Sequence, residues 1–328
     1  MSCKISIVVP LYNEEDNVVR LYRELVEVAD KNAMDCEFVF VDDGSCDKTV
    51  SNLGKACAGD NRVRIVCFRR NFGQTAAMAA GFDYAQGDIV VTLDGDLQND
   101  PAEIPKLIRK ITEEGFDMAA GWRKDRQDAA LSRKLPSMIA NRLISKITNV
   151  RLHDYGCTLK AMKSEVAKNL KLYGEMHRFI PALAAELGVK IAEVPVNHRA
   201  RIHGTSKYGI SRTFRVLLDL LTVKFFLGYS TRPLHMFGSW GMITGSTGLA
   251  LMAWMTVQRL FFSVPMGTRP LLSVAVLLVL IGFQFVCFGL LAEILVRTYH
   301  ESQNKKIYAV REVCCFGAEA NRCQAINA

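Results

Sequence analysis

Apolar and polar positions in the first two hundred residues follow two alternating periods. Residues 5–9, 38–41, 63–67 and 89–93 are short apolar runs rich in β-branched side chains, and they read as buried strands. Between them the spacing changes: Val18, Leu21, Leu25 and Val28 mark one helix, and Ala76, Ala80 and Asp83 step along another after Gly73. Strand and helix in alternation predict an α/β sandwich around a mostly parallel sheet, whose ligands bind beyond the carboxyl ends of the strands.

Beyond residue 232 the pattern changes again. No Asp, Glu, Lys or Arg lies between Arg232 and Arg259, or between Arg269 and Glu293. At about 1.5 Å rise per residue each run exceeds the roughly 30 Å of bilayer hydrocarbon, which predicts two transmembrane helices, over about 234–258 and 270–294. Residues 272–280 and 283–291 are apolar all round the helix, unlike a helix at the edge of a soluble core. Trp240, Trp254, Phe261 and Phe262 suit the bilayer interfaces. The loop between the runs holds Arg259 and Arg269, whereas Arg297, Lys305, Lys306 and a basic N-terminal region flank the other side, so both termini are predicted to be cytoplasmic. Ahead of the first run, Arg212, Arg215, Asp219 and Thr222 form a narrow polar stripe on an otherwise apolar helix, suited to lying at a membrane surface, although a plain core helix has the same pattern. The predicted organisation is an α/β domain over 1–210, an interfacial helix over 211–232, a transmembrane hairpin over 233–297 and a polar cytoplasmic tail, with no assigned structure, over 298–328.

Composition agrees. The 328 residues are 50% apolar and 23% charged, which excludes disorder as the main state and leaves material for about two structural units. The mean hydropathy is positive, at +0.11, because the apolar residues are concentrated at one end. Ten Cys without a CxxC pair or zinc spacing do not resemble a disulfide framework, and the bulk of the chain reads as facing a reducing cytosol. The first apolar run is too short for a signal-peptide core and stops at Pro10, so export of the N-terminal half is not expected.

Polar clusters fall at the predicted strand ends. Pro10-Leu11-Tyr12-Asn13-Glu14-Glu15 opens a helix and, alone, reads equally as ordinary capping. In Asp42-Asp43-Gly44-Ser45-Cys46-Asp47-Lys48-Thr49 the carboxylates can accept from a base N–H or from ribose hydroxyls, and the alternative is turn formation and capping by Ser45 or Asp47. Asp94 and Asp96 repel each other one residue apart unless a cation sits between them; a hard divalent ion with open positions for a diphosphate fits, and a solvated turn is the plainer reading. Two basic clusters follow: Arg123, Lys124, Arg126, Arg133 and Lys134, then Arg199, Arg201, His203 and Lys207. With a net charge of +8 these raise nucleic acid as a partner, but no recognisable nucleic-acid module is present, so none is expected. The second cluster immediately precedes the interfacial helix, which makes a phosphate presented by a membrane lipid the economical partner. Asp154, within His153-Asp154-Tyr155-Gly156-Cys157, is a further carboxylate at the expected start of a strand, although such a segment taken alone is more often a turn.

Taken together, residues 5–208 resemble the family 2 glycosyltransferases of GT-A fold, specifically the polyprenyl-phosphate branch related to dolichol-phosphate mannose synthase and bactoprenol glucosyltransferase. The motifs that carry the resemblance are Pro10-x-Tyr12-Asn13-Glu14-Glu15, Asp42-Asp43-Gly44-Ser45-x-Asp47-x-Thr49, Asp94-x-Asp96-Leu97-Gln98 with Pro101, and Arg201-x-x-Gly204-x-Ser206-Lys207-Tyr208. The resemblance implies that Pro10, Tyr12, Glu14 and Asp42 or Asp43 hold the nucleoside, and that Asp94, Asp96 and Gln98 surround Mg²⁺ or Mn²⁺ and the diphosphate. Arg123 would face the donor phosphates or sugar, Asp154 would act as a base or orient an arginine or the sugar, and Arg199, Arg201, Ser206 and Lys207 would receive the acceptor phosphate. The Gln-x-x-Arg-Trp of processive polysaccharide synthases is absent, so polymerisation is not expected. The segment 174–179 resembles the bacterial glucosyl branch, which implies UDP-glucose as donor and undecaprenyl phosphate as acceptor, with GDP-mannose as the alternative donor. A catalytically silent membrane scaffold with a nucleotide-binding fold is the reading from a different class, and a homo-oligomer is compatible with either.

Overall fold

The computed structural model describes residues 3–124, 152–172, 176–199, 233–262, 270–302 and 307–315. Arg126, Arg133, Lys134, Arg201, His203, Ser206, Lys207 and the predicted interfacial helix over 211–232 lie outside the described residues. The chain divides into two units, residues 1–220 with 306–328, and residues 221–305.

In the first unit strands and helices alternate as the pattern predicts: β1 (Ile5–Leu11), α1 (Val18–Lys31), β2 (Cys36–Asp42), α2 (Thr49–Ala56), β3 (Val63–Phe68), α3 (Gln74–Tyr84) and β4 (Ile89–Thr92). There follow α4 (Ile104–Thr112), β5 (Met118–Trp122), β6 (Lys160–Lys163), α5 (Ser164–Asn169), α6 (Ile180–Glu186) and β7 (Ile191–Pro195). The sheet order is β7-β5-β6-β4-β1-β2-β3-β8, where β8 is Val310–Cys315. Among the described residues four of its seven strand pairings are parallel, with β6 antiparallel to both its neighbours and β8 antiparallel to β3.

Both faces of the sheet are covered, which is why β2 is buried along its whole length and apolar apart from Glu37 and Asp42. On one face Leu21, Leu25, Phe38, Phe40, Leu53 and Leu107 form a core; on the other, Val39, Val66, Ala76, Phe82, Val166 and Ile180 form a second. Helix α3 buries almost every side and carries small residues accordingly. It lies so close to β1 that a Cβ on Gly81 would come within 2.1 Å of Cγ1 of Val8.

The tail departs from expectation. Residues 310–315, left without structure in the reading above, add an edge strand to the sheet, because β3 presents an unpaired edge and Phe68 an aromatic face. Tyr308 stacks on Phe68 at 5.1 Å between ring centroids, and its hydroxyl donates to Asp83 Oδ2 at 2.6 Å. Cys315 is disulfide-bonded, which the cysteine spacing did not lead one to expect.

The second unit is a pair of long helices, α7 (Pro233–Phe262) and α8 (Pro270–Ser302). They pack through glycines: a Cβ on Gly282 would meet Gly245 N at 2.6 Å and Gly241 O at 2.7 Å, the close approach typical of helices that associate without a hydrophobic drive. Trp240, Leu260, Phe261, Phe283 and Leu291 are exposed, and Thr244, Thr247 and Thr256 return their hydroxyls to carbonyls four residues earlier. Among the described residues one segment, Pro270–Ala292, is long and apolar enough to cross a bilayer, with a mean hydropathy of 2.7. The other expected span exists as a helix, but its Gly, Ser, Thr and His residues keep it below that level.

Replacement of Gly81 by Ala tests the close approach of α3 to β1. Helix propensity favours Ala by about 1 kcal/mol, whereas overpacking against the fully buried Val8 costs about 1–3 kcal/mol. The clash wins, and the full-length variant in detergent is expected to unfold a few degrees below wild type in a thermal melt.

Candidate active site

The site grows from the carboxyl ends of three neighbouring strands, β2, β1 and β4. The loops that leave β1 and β2 are laced together. Asn13, at φ 55°, donates from its backbone to Ser45 Oγ at 2.9 Å and accepts from Cys46 N at 3.0 Å; Glu14 N donates to Thr49 Oγ1 at 2.8 Å, and Glu15 N to Asp47 Oδ2 at 3.2 Å. Asp47 Oδ1 in turn accepts from Thr49 N at 3.0 Å, so Ser45, Asp47 and Thr49 shape the turn, as their plainer reading has it. Pro10 is half-buried, Tyr12 is exposed, and Glu14 Oε2 accepts from Asn17 Nδ2 at 2.7 Å.

The two adjacent aspartates separate in role. Asp43 uses both oxygens to accept backbone N–H groups, from Phe72 at 2.6 Å and Gly73 at 3.0 Å, and so braces the turn into α3. Asp42 is 2% exposed; its Oδ2 accepts from Ser45 N at 3.1 Å, while Oδ1 is buried with no hydrogen-bond partner. Burial pushes the Asp42 carboxyl up, opposed by its bonds with Ser45 and by the charge of Arg311. An orphaned buried oxygen at a strand end is the feature a base or ribose donor would satisfy.

Asp94 and Asp96 follow β4. The intervening Gly95 packs close to residues 10–14, since a Cβ there would stand 2.7 Å from Leu11 Cδ2 and 3.5 Å from Glu14 Cγ, and the acidic pair therefore lies beside that segment. Gln74 at the start of α3 donates from Nε2 to Asp94 Oδ1 at 2.7 Å, and Gln98 N donates to Asp96 Oδ1 at 3.2 Å. Burial pushes the Asp94 carboxyl up to about 6, with Asp96 adding to the rise and Thr158, Lys160 and Arg123 opposing it. Among the described residues no three His, Cys, Asp or Glu converge on one point. Two carboxylates with room for phosphate oxygens nevertheless form a hard, all-oxygen donor set, which suits Mg²⁺ or Mn²⁺.

Arg123, just past β5, is gripped by Asp154: Nε donates to Oδ2 at 2.6 Å and Nη2 to Oδ1 at 2.9 Å. Burial works against the charge on Arg123, but the paired carboxylate outweighs it and raises the pKa. Glu193 on β7 fixes the loop that carries Asp154, accepting from the backbone N–H of His153 at 2.8 Å and of Asp154 at 3.0 Å. Arg199 is committed elsewhere: Nη1 donates to Glu24 at 2.5 Å and Nη2 to Asp100 at 2.8 Å, which ties the segment before residue 200 to α1 and to the loop after β4. The fork expected to receive a lipid phosphate is therefore occupied by carboxylates.

Several residues of the site escaped the sequence reading. Lys160 on β6 is 1% exposed and donates from Nζ to Cys157 O; burial pulls its pKa down, against the opposing influence of Cys157, Asp154 and Asp94. Gln74 and Glu193 likewise act across long sequence separations, and a lysine at the start of a short Lys-Ala-Met-Lys strand or a glutamine at a helix start carries no signal that would have found them.

Residues 6–171 match the family described as Glycosyl transferase family 2. The chain is 45% identical over 315 residues to a dodecaprenyl-phosphate galacturonate synthase of Rhizobium johnstonii, covering 95% of this chain and 93% of that one. It is 36% identical to an undecaprenyl-phosphate 4-deoxy-4-formamido-L-arabinose transferase of Edwardsiella ictaluri, over 94% of each chain. In fold it resembles glucosyl-3-phosphoglycerate synthase of Mycobacterium tuberculosis, solved with Mn²⁺, uridine diphosphate and phosphoglyceric acid, at a TM-score of 0.55 and 19% identity over 69% of this chain and 79% of that one. With the strand-end acidic pair and the mostly parallel sheet, these matches establish that the chain belongs to glycosyl transferase family 2 and is an enzyme of GT-A fold.

Proposed function

We propose that this glycosyltransferase moves a sugar from a nucleotide-sugar donor to a polyprenyl phosphate at a membrane surface. The observation that carries the reading is that Asp42, with its unpartnered buried oxygen, and the Asp94–Asp96 pair stand at the ends of the two strands that flank β1, which offers one place to a nucleoside and another to a diphosphate. Relatives matched over more than nine-tenths of the chain are named for polyprenyl-phosphate products or acceptors, which supports the lipid acceptor. Neither name mentions glucose, the sugar implied by segment 174–179. Galacturonate, carried by the 45% identical relative, is the first donor sugar to test, ahead of glucose from UDP-glucose and of mannose from GDP-mannose.

The reaction in this reading is a single displacement with inversion. A phosphate monoester has its second pKa near 6, so at pH 7 the attacking oxygen is already largely anionic and needs little help from a base. Asp154 fits that requirement: both its oxygens hold Arg123, so it serves as an orienter and Arg123 as the cation facing donor phosphates or sugar. Mg²⁺ or Mn²⁺ held by Asp94 and Asp96, with Gln98 alongside, would neutralise charge on the departing nucleoside diphosphate. Arg201, Ser206 and Lys207 remain the residues proposed for the acceptor phosphate. The apolar segment Pro270–Ala292 supplies the anchor, and α7 is proposed as a second span with both termini cytoplasmic.

Three outcomes test this reading. Membranes containing the protein, given radiolabelled nucleotide sugars in parallel, should form a chloroform-soluble, acid-labile product; Asp96→Ala should lower its formation by roughly 100-fold or more, a loss typical of removing a charge-stabilising element. Full transfer by that variant, or no product from any donor, defeats the assignment, and the second result favours a silent scaffold. Asp154→Asn should slow transfer on the order of 10–100-fold through misplacement of Arg123 while leaving the shape of the pH–rate profile unchanged; a new pH dependence would make Asp154 a base. A reporter inserted between residues 263 and 269 should be periplasmic and one after residue 328 cytoplasmic, and cytoplasmic exposure of the first removes the two-span topology.

A further inference from the structure

The C-terminal strand reaches the nucleoside corner. Asp42 at the end of β2 pairs with Cys67 of β3, and Cys67 pairs with Glu312 of β8, so one row of the sheet runs from the orphaned carboxylate to the tail. At the next step the pairing slips, Phe68 standing opposite Val310, and Arg311 becomes the extra residue of a β-bulge. A bulge takes a side chain out of the normal alternation, and bulges recur beside sites where a side chain must be re-aimed. The segment leading into this bulge is held firmly, by the stack of Tyr308 on Phe68, its bond to Asp83, and the backbone bond from Arg69 N to Ala309 O at 3.1 Å.

Arg311 is exposed, and its guanidinium donates to the adjacent Glu312 at 2.7 Å. Both side chains are half exposed, and so solvated a pair constrains the guanidinium weakly. Its charge is felt by Asp42 and by Cys67, on the row just traced. A carboxylate oxygen that lacks a donor and a cation at the same rim make a complementary pair: one accepts, the other donates.

We propose that Arg311 reads the nucleobase of the donor together with Asp42. The Asp42 carboxylate accepts from a ring N–H, and the guanidinium donates to the carbonyl oxygen beside that N–H. Uracil and guanine present such an edge; cytosine and adenine do not. This rests on the nucleotide-sugar reading above and adds a residue from outside the matched family region, which ends at residue 171.

Calorimetric titration of UDP, GDP and CDP into the full-length protein in detergent tests it. Wild type should bind UDP or GDP more tightly than CDP. Arg311→Ala and Arg311→Gln should each weaken the preferred nucleotide by about 10-fold, the scale of one hydrogen bond from a charged group, with CDP binding little changed and the melting temperature kept; Arg311→Lys should restore part of the loss. Unchanged affinity in both variants, equal loss for all three nucleotides, or a wild-type preference for CDP overturns the role of Arg311 while leaving a nucleotide site in place. Wild-type protein that binds none of the three overturns the donor reading itself, and the role of Arg311 with it.

Discussion

Carboxylates that leave water for the rim of a sheet lose hydration, and in this protein Asp42, Asp43 and Asp94 do so at the ends of β2 and β4, the strands on either side of β1. Burial raises the pKa of each, which measures how unfavourable the charge is without a partner. The surrounding structure is arranged around that cost. Asp43 is satisfied by two backbone N–H groups and shapes the entry to α3. Asp94 receives Gln74 and lies within the influence of Arg123 and Lys160. Asp42 keeps one oxygen unpartnered. The charge left over at the rim is what a cation and the donor groups of a nucleotide would complete.

The positive side of this balance is itself buried. Arg123 needs Asp154, whose loop needs Glu193 from β7, so this cation is set by a chain of groups that ends on the edge strand beyond β5. Lys160 enters from β6, next to β4, where the register pairs it with Thr92. An ordinary parallel sheet would place a strand end there. The antiparallel β6 instead begins at that rim, and this brings Lys160 and the Asp154 loop to the same edge as Asp94 and Asp96.

The long apolar helices and the relatives' names belong to one physical picture. A lipid phosphate cannot leave its membrane, so a transferase acting on it gains from residing where the headgroup is. Helix α8 carries the apolar length for that, and the glycine contacts between α7 and α8 replace the burial that packs soluble helices.

Local pattern carries a good deal of this protein. Short apolar runs located β1 to β4 and helical spacing located α1 and α3, each to within a few residues, and the acidic and proline-containing motifs fell at strand ends, at residues 10–15, 42–49 and 94–98. Those signals are legible because burial periodicity, turn chemistry and acidic crowding are written within a few consecutive residues. What sequence left open was decided by contacts between distant segments. Asp42 and Asp43 look alike until Phe72 and Gly73 claim one of them. Arg199 looks free until Glu24 and Asp100 occupy it. Asp154 reads in sequence as one more carboxylate, and only the fold puts both its oxygens on Arg123. The tail looks structureless because a short mixed-polarity strand has no stability of its own; the exposed edge of β3 and the ring of Phe68 give residues 308–315 their place. Hydrogen-bond partners and strand edges are properties of the folded chain, and no window of sequence contains both members of such a pair.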